Sequence, residues 1–400
     1  MQISAKANSC DLSPMRKYHP LAVKAKEKGI KIYHLNIGQP DIATPAAYFD
    51  AVKNFSQPVL DYAPSNGILL LIDAVRGYYS KLGLNYSREE VFITTGGSEA
   101  LQMVMLSILD EGSEIIIPEP FYPNYSTFVK AAGGVIRPLA TSVEEGFKYA
   151  VRERIVPLIN EKTRAIMFTN PGNPTGNVLT REEMRLLADI AKEYNLFIIG
   201  DEAYREFVYG GERLACIGEF EDIRENAVIV DTVSKRFSAC GARIGCVITC
   251  HRALQTQITK LCQARLSVAT LDQIASAALY NMQGGYFDAA RSEYKARRDA
   301  CYKKLKSIEG VVCRPPQGAF YIMAKLPVDD ADAFQSFMLS EFSHNNETVM
   351  FAPGEGFYAT KGKGKQEVRI AYVLCQRDLV RALDLLALGI IAYNEKKVKK

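Results

Sequence analysis

Six short apolar runs recur between residues 90 and 250 of this chain, at 91–95, 114–118, 165–169, 196–200, 227–230 and 244–249. Most are continuous rather than alternating, which is the pattern of strands covered on both faces. The stretches between them carry helical periodicity. At 98–109, residues Ala100, Leu101, Val104, Met105 and Ile108 share one face, and 181–194 reads as a second such helix. Strand and helix in alternation predict an α/β fold, with one large, mostly parallel sheet and helices on both of its faces. From about residue 286 the texture changes. A charged helix over 285–308 leads to strand-like runs at 318–324, 348–352 and 367–373, then to a last helix from about Gln376. This predicts a smaller α+β unit with a sheet of its own.

Composition closes off several function classes. A chain of 400 residues, 48% of them hydrophobic, buries enough surface to need no disulfide or metal for its core. The 49 Lys plus Arg exceed the 45 Asp plus Glu by four charges, too few and too scattered for a nucleic-acid partner. The first fifteen residues lack the apolar centre of a signal peptide, and no run reaches membrane-spanning length, so a cytoplasmic protein with no membrane partner is expected. The nine cysteines form no Cys-x-x-Cys pair and the four histidines are far apart. Free thiols in a reducing compartment, and no metal, are the expectation; Cys240, Cys246 and Cys250 lack zinc spacing. The lysine-rich end (396–400) and Thr360-Lys361-Gly362-Lys363-Gly364-Lys365 read as solvated tail and loop, the latter lacking phosphate-loop spacing.

In a doubly wound sheet, ligands sit outside the carboxyl ends of the strands. The polar residues just past each run are therefore the candidates. Gly96-Gly97-Ser98-Glu99 follows the first run. Asn170-Pro171-Gly172-Asn173-Pro174-Thr175-Gly176 follows the third. Asp201, Glu202 and Tyr204 follow the fourth. Thr232, Ser234 and Lys235 follow the fifth, with Arg243 eight residues on. Each has an ordinary alternative. Gly-Gly-Ser before a helix is a phosphate cradle or a tight turn with Ser98 as N-cap. Asp201 is a buried carboxylate in want of a partner, or a helix cap. Lys235 is an imine-forming amine or a lysine at a strand end. Arg243 pairs with phosphate or with an acidic neighbour. Taken together on one sheet edge, a phosphate cradle, an imine-forming lysine and an acid for a pyridinium nitrogen are what pyridoxal phosphate requires.

At these residues the chain resembles the fold-type I pyridoxal-phosphate enzymes, specifically the class I aminotransferases of the aspartate aminotransferase family. The resemblance runs from Asn36-Ile37-Gly38-Gln39-Pro40-Asp41 to Arg369-Ile370-Ala371. Its specific motifs are Pro171-Gly172-Asn173-Pro174-Thr175-Gly176, Asp201-Glu202-Ala203-Tyr204, Ser234-Lys235 and Arg243-Ile244-Gly245. It implies a large cofactor-binding unit over 45–285 and a small unit built from 1–44 and 286–400. It implies transfer of an amino group from an L-amino acid to a 2-oxo acid such as 2-oxoglutarate by a ping-pong cycle. Lys235 would hold the cofactor as an imine and then move the substrate's proton. Asp201 would pair with the ring nitrogen, and Asn173 and Tyr204 with the ring's phenolic oxygen. Gly97, Ser98, Thr232, Ser234 and Arg243 would surround the phosphate, Thr232 standing where Ser or Gly is more usual. Tyr122 would stack on the ring. Tyr62 would reach the phosphate of a neighbouring subunit, which implies a homodimer with shared sites. Arg369 would clamp the substrate α-carboxylate, with Gly38 lining the same place.

Two departures bear on the substrate. Where some relatives bind a second carboxylate through a partner's arginine, this chain aligns Gln263; where others have a lysine after the glycine pair, it has Ser98. Arg265 and Arg16 are the candidates to replace them. Aspartate is the expected donor, with aromatic or neutral amino acids as alternatives. A C–S β-lyase and a catalytically silent cofactor-binding protein use the same motifs. A nucleotide-binding protein would explain Gly96 to Ser98 but not Lys235, Asp201 and Asn173 together.

Overall fold

The computed structural model describes residues 1–211, 213–282 and 284–398. The first strand, β1 (Lys31–His34), lies outside the large sheet. The next seven form that sheet: β2 (Val91–Thr94), β3 (Glu114–Glu119), β4 (Val135–Ala140), β5 (Thr163–Thr169), β6 (Phe197–Asp201), β7 (Ala227–Thr232) and β8 (Gly245–Thr249). Their order is β2-β8-β7-β6-β5-β3-β4, with β8 antiparallel to both neighbours and every other pairing parallel. The predicted α/β architecture is therefore present. One strand of this sheet escaped the sequence reading, as did the short β1 and the later β9 (Val312–Cys313) outside it. β4 carries Arg137 and Pro138, and a proline inside a run argues against a central strand; β4 sits at the sheet edge, where proline is tolerated.

The continuity of the apolar runs has a direct structural cause. Alternate strand residues feed two separate cores. Ile93, Ile116, Ile166, Ile198, Ile229 and Ile248 join one; Phe92, Ile115, Met167, Ile199, Val228 and Val247 join the other. Helices Leu69–Lys81, Arg181–Glu193 and Thr270–Tyr280 cover the first face, and Gly96–Ile108 with Arg252–Arg265 the second. Arg181–Glu193 begins with a capping box: Thr180 Oγ1 accepts from the Glu183 N–H, and Glu183 Oε2 from the Thr180 N–H.

The C-terminal part builds a four-stranded antiparallel sheet of β9 (Val312–Cys313), β10 (Tyr321–Lys325), β12 (Ala352–Pro353) and β13 (Glu367–Ala371), in the order β12-β13-β10-β9. The run at 348–352, expected as one strand, is divided. Its first part, within β11 (Glu347–Met350), pairs in parallel with β1, and β12 joins β13. Between them the Phe351 N–H is diverted to Gln335 Oε1 at 2.7 Å. The final helix, Gln376–Val398, takes in Lys396 and Lys397, which the sequence reading assigned to a tail; 399–400 lie outside the described residues. Residues 360–365 form turns, anchored by the N–H groups of Ala359 and Thr360 on Glu119 Oε2.

Directly behind the Lys235 turn lies a buried ion pair. Asp231, fully buried at the end of β7, accepts from Arg236 Nη2 at 2.6 Å, the Tyr79 hydroxyl at 2.9 Å and the Thr232 N–H at 2.7 Å. The Arg236 guanidinium lies over the Tyr78 ring. Removing one partner of such a pair strands the other charge in the interior. Asp231→Asn is expected to destabilise the protein by about 3 kcal/mol. Tyr79→Phe, which removes one neutral donor, should cost about 1 kcal/mol. Urea midpoints of the two cofactor-free variants check the ranking.

Candidate active site

A cavity of about 300 Å³ opens at the carboxyl ends of β2, β5, β6 and β7, within the range that small-molecule sites occupy. Gly38, Gly97, Ser98, Tyr122, Asn173, Asp201, Tyr204, Thr232, Ser234, Lys235, Arg243 and Arg369 all line it. Tyr62 does not; it is 83% exposed and lies outside this cavity. Thus residues from eight separate stretches of sequence meet at one place, and Tyr62, expected to serve a neighbouring subunit, is left on the surface.

On one side the chain offers donors for an anion. The helix Gly96–Ile108 starts two residues earlier than expected, so Ser98 is its third residue rather than its cap, and Thr95 occupies the cap position. The free N–H groups of this first turn and the positive end of the helix dipole lie at the cavity wall. Gly96 has φ +74°, and a Cβ there would stand 2.5 Å from Arg243 Nη2, so only glycine lets the arginine cross the helix start. Gly245 is equally confined, because its Cβ would meet the Gly97 backbone nitrogen at 2.7 Å. Arg243 itself has left-handed φ (51°) and contacts the Cys240 carbonyl at 3.1 Å; no carboxylate pairs with it among the described residues. The Thr232 hydroxyl is engaged within the turn, 2.8 Å from the Ile244 carbonyl and 2.9 Å from Ser234 Oγ.

At another wall is Asp201, 8% exposed, accepting from the Tyr125 hydroxyl at 2.5 Å and the Ala203 N–H at 3.1 Å. No cationic side chain pairs with it among the described residues. Burial raises its pKa to about 6, further raised by Asp231 and Glu202 and opposed by its two hydrogen bonds. A carboxylate held this way lacks a positive partner, and a protonated ring nitrogen is one. Lys235 sits on the short turn Val233–Arg236, half-buried, with Nζ 3.0 Å from the Gly38 carbonyl. Its side chain forms no ion pair among the described residues, so the amine is free to engage a ligand.

The third element is Arg369, on β13 and 2% exposed. Its guanidinium donates to Asn173 Oδ1 at 3.1 Å and to the Asn36 carbonyl at 2.6 Å, and its Nε has no partner among the described residues. Burial lowers its pKa, and among the described residues no carboxylate balances the charge. Tyr321 lies under the guanidinium, 4.5 Å from charge to ring centre, and its hydroxyl is 2.7 Å from that of Tyr204. A Cβ on Gly38 would overlap the Tyr321 ring, which fixes glycine there.

Tyr125, Thr169, Cys240 and Tyr321 also line the cavity and were not read from the sequence. Tyr125 had a signal: it follows Tyr122 by three residues on a helix start, and a buried Asp201 must find a donor. Tyr321 had none locally. It reaches Arg369 because β10 and β13 pair Met323 with Arg369, placing Tyr321 on the diagonal. Arg16 lies at the cavity with Ser13 and Met15, whereas Arg265 does not; its Nη2 is spent on the carbonyls of Ser65 and Ile93.

Residues 30–387 match the family described as aminotransferase class I and II. The chain is 30% identical to an aspartate aminotransferase of Bacillus subtilis, over 88% of this chain and 91% of that protein. It is 32% identical to a probable N-acetyl-LL-diaminopimelate aminotransferase of the same organism, over 98% and 97%. An alanine aminotransferase structure from Pyrococcus furiosus superposes with a TM-score of 0.90 at 28% identity, covering 98% of this chain and all of that one. The three similar proteins differ in the substrate they are named for and agree in the reaction.

Proposed function

Since the chain belongs to the class I and II aminotransferases, we propose that its cavity holds pyridoxal 5′-phosphate and that the enzyme moves the amino group of an acidic L-amino acid, aspartate foremost, to 2-oxoglutarate. The observation that carries the cofactor is the pairing of opposites across one cavity: a buried Asp201 with no cationic partner and, beside a helix N-terminus, Arg243 with no carboxylate partner, both among the described residues. When bound, the cofactor supplies an electron-accepting ring that stabilises negative charge at the substrate Cα. Asp201 would hold the proton on the ring nitrogen. Gly97, Ser98, Thr232, Ser234 and Arg243 would hold the phosphate. Tyr122 would lie against the ring, and Asn173 and Tyr204 would orient its oxygen. Lys235 Nζ would be the amine that holds the cofactor and the group that carries the proton at Cα. Arg369 grips the α-carboxylate as a fork, which fixes the Cα–H relative to Lys235, and Gly38 leaves room for it.

The same reading makes the enzyme a cytoplasmic homodimer in which Tyr62 serves the partner's phosphate; its exposure on a loop with Val59 and Leu60, both more than half exposed, supports a covered surface there. It also divides the chain into 45–285 and a second unit of 1–44 with 286–400, supported by the pairing of β1 with β11.

Spectroscopy of the cofactor-loaded enzyme tests the reaction. Aspartate added without any oxo acid should convert the visible cofactor band to a shorter-wavelength one in a single half-turnover, and 2-oxoglutarate should restore it. Release of pyruvate and ammonia from cysteine conjugates, with no such conversion, would overturn the transfer reading in favour of elimination.

A further inference from the structure

The hydroxyls of Tyr204 and Tyr321 meet 2.7 Å apart inside the protein, with the two rings edge to face and their centres 5.4 Å apart. Tyr204 is 4% exposed and Tyr321 2%, and each hydroxyl has the other as its one hydrogen-bond partner among the described residues. A phenol has a single proton to give, so one of the pair donates and the other accepts. The direction matters. A Tyr204 that gave its proton to Tyr321 would have none left for a ligand in the cavity. Arg369 decides between the two. Its guanidinium stands over the Tyr321 ring, 4.5 Å from the ring centre. A cation on the ring face draws electron density from the phenol oxygen, which strengthens Tyr321 as a donor and weakens it as an acceptor. Tyr204 carries no cation on its ring among the described residues, and burial makes it hold its proton tightly.

We infer that Tyr321 is a positioning residue of the reaction: its hydroxyl donates to Tyr204 and so turns the Tyr204 O–H toward the ring oxygen of the cofactor. The inference rests on the cofactor reading above, which gives Tyr204 that oxygen as its partner. The pair is set from several sides. A Cβ on Gly38 would stand 1.8 Å from Tyr321 Oη, so glycine there is what lets this hydroxyl reach Tyr204. The Phe320 ring meets that of Tyr204 edge to face at 5.1 Å and backs the acceptor. The charged and titratable groups that face the pair are Arg369 from β13, Asp201 at the end of β6 and Tyr122 after β3. A hydrogen bond donated to the ring oxygen favours its anionic form, and with it loss of the proton shared along the Lys235–cofactor link. Without the Tyr321 hydroxyl, the Tyr204 O–H loses its fixed direction, and that proton is held to higher pH.

The test follows the visible band of the cofactor-loaded enzyme against pH in Tyr321→Phe, Tyr204→Phe and the double variant. Tyr204→Phe removes the donor to the ring oxygen and is expected to raise the pH midpoint of the band by roughly one to two units. Tyr321→Phe keeps the ring beneath Arg369 and removes only the hydroxyl, so a rise of roughly half a unit is expected. The double variant should match Tyr204→Phe, because the Tyr321 hydroxyl acts only through Tyr204. One cofactor bound per chain in every variant shows that the site is folded. An unchanged midpoint in Tyr321→Phe, where Tyr204→Phe shifts, overturns the role of Tyr321 alone. Shifts that add in the double variant overturn it as well, since the hydroxyl would then act by another route. An unshifted Tyr204→Phe overturns the placement of Tyr204 on the ring oxygen and the inference with it, and a wild type with no cofactor band overturns the cofactor reading itself.

Discussion

Lys235→Ala is expected to reduce transamination by roughly 10⁴-fold or more, because one side chain serves both as the covalent anchor of the cofactor and as the proton carrier at Cα. Its position makes this loss hard to compensate. Among the described residues Lys235 is the one lysine lining the cavity, and the neighbouring groups, the Gly38 carbonyl and Cys240 Sγ at 3.6 Å, do not replace an amine. The fold should survive, since the side chain makes no ion pair among the described residues and Asp231 with Arg236 holds the turn from behind. Two measurements separate loss of chemistry from loss of structure. Borohydride treatment of loaded wild type should fix the cofactor to the protein and raise its mass, and the variant should show no adduct. Retained cofactor affinity through the phosphate site, at an unchanged unfolding midpoint, would accompany the lost rate. A covalent adduct in Lys235→Ala would assign the link to another residue.

Asp201→Asn is expected to cost roughly 10³-fold in turnover while making the cofactor-free protein more stable at pH 8, two effects of opposite sign from one charge. The sign follows from the pKa. Asp201 rises from 3.8 to about 6 on folding, chiefly through burial, so the folded protein holds this proton where the unfolded chain has released it. Stability therefore falls as pH rises from 3.8 to about 6 and stays reduced above, by roughly 3 kcal/mol at pH 8. Asparagine keeps the shape and removes that cost. Melting curves of the cofactor-free proteins should show the variant above wild type at pH 8 and level with it near pH 4. With cofactor the order reverses, since only a carboxylate balances a ring cation. Wild-type cofactor affinity should likewise weaken as pH falls through about 6. Equal melting curves at pH 8 would mean that Asp201 is not charged at a cost, and the electrostatic account of the site would fall.

Most of the site was legible because its residues come from short contiguous motifs. Gly97 with Ser98, Asp201 with Tyr204, and Ser234 with Lys235 each follow an apolar run, and a parallel sheet delivers all such ends to one edge. The β4 strand was missed because Arg137 and Pro138 break an apolar run in a place where an edge strand tolerates both. The helix start at Gly96 was placed two residues late because glycine signals a turn, and its left-handed φ of +74° at the first helical position is what calls for glycine there.

The sequence by itself determined what is encoded locally: the two-sided strands, the helices between them, and the chemistry gathered past the strand ends. Hydrophobic periodicity and turn residues act over a few positions, so they can be read without coordinates. Tertiary structure decided what depends on residues far apart in the chain. It set Tyr125 on Asp201, 76 positions away, and Tyr321 under Arg369 across a strand pair. It turned Arg265 Nη2 to backbone carbonyls, with Nε and Nη1 left unpartnered among the described residues, while setting Arg16 at the cavity, a difference between two arginines that composition treats alike. The reason is that charge and burial are properties of surroundings: a carboxylate or guanidinium acquires its energy, and hence its function, from the partners the fold supplies or withholds.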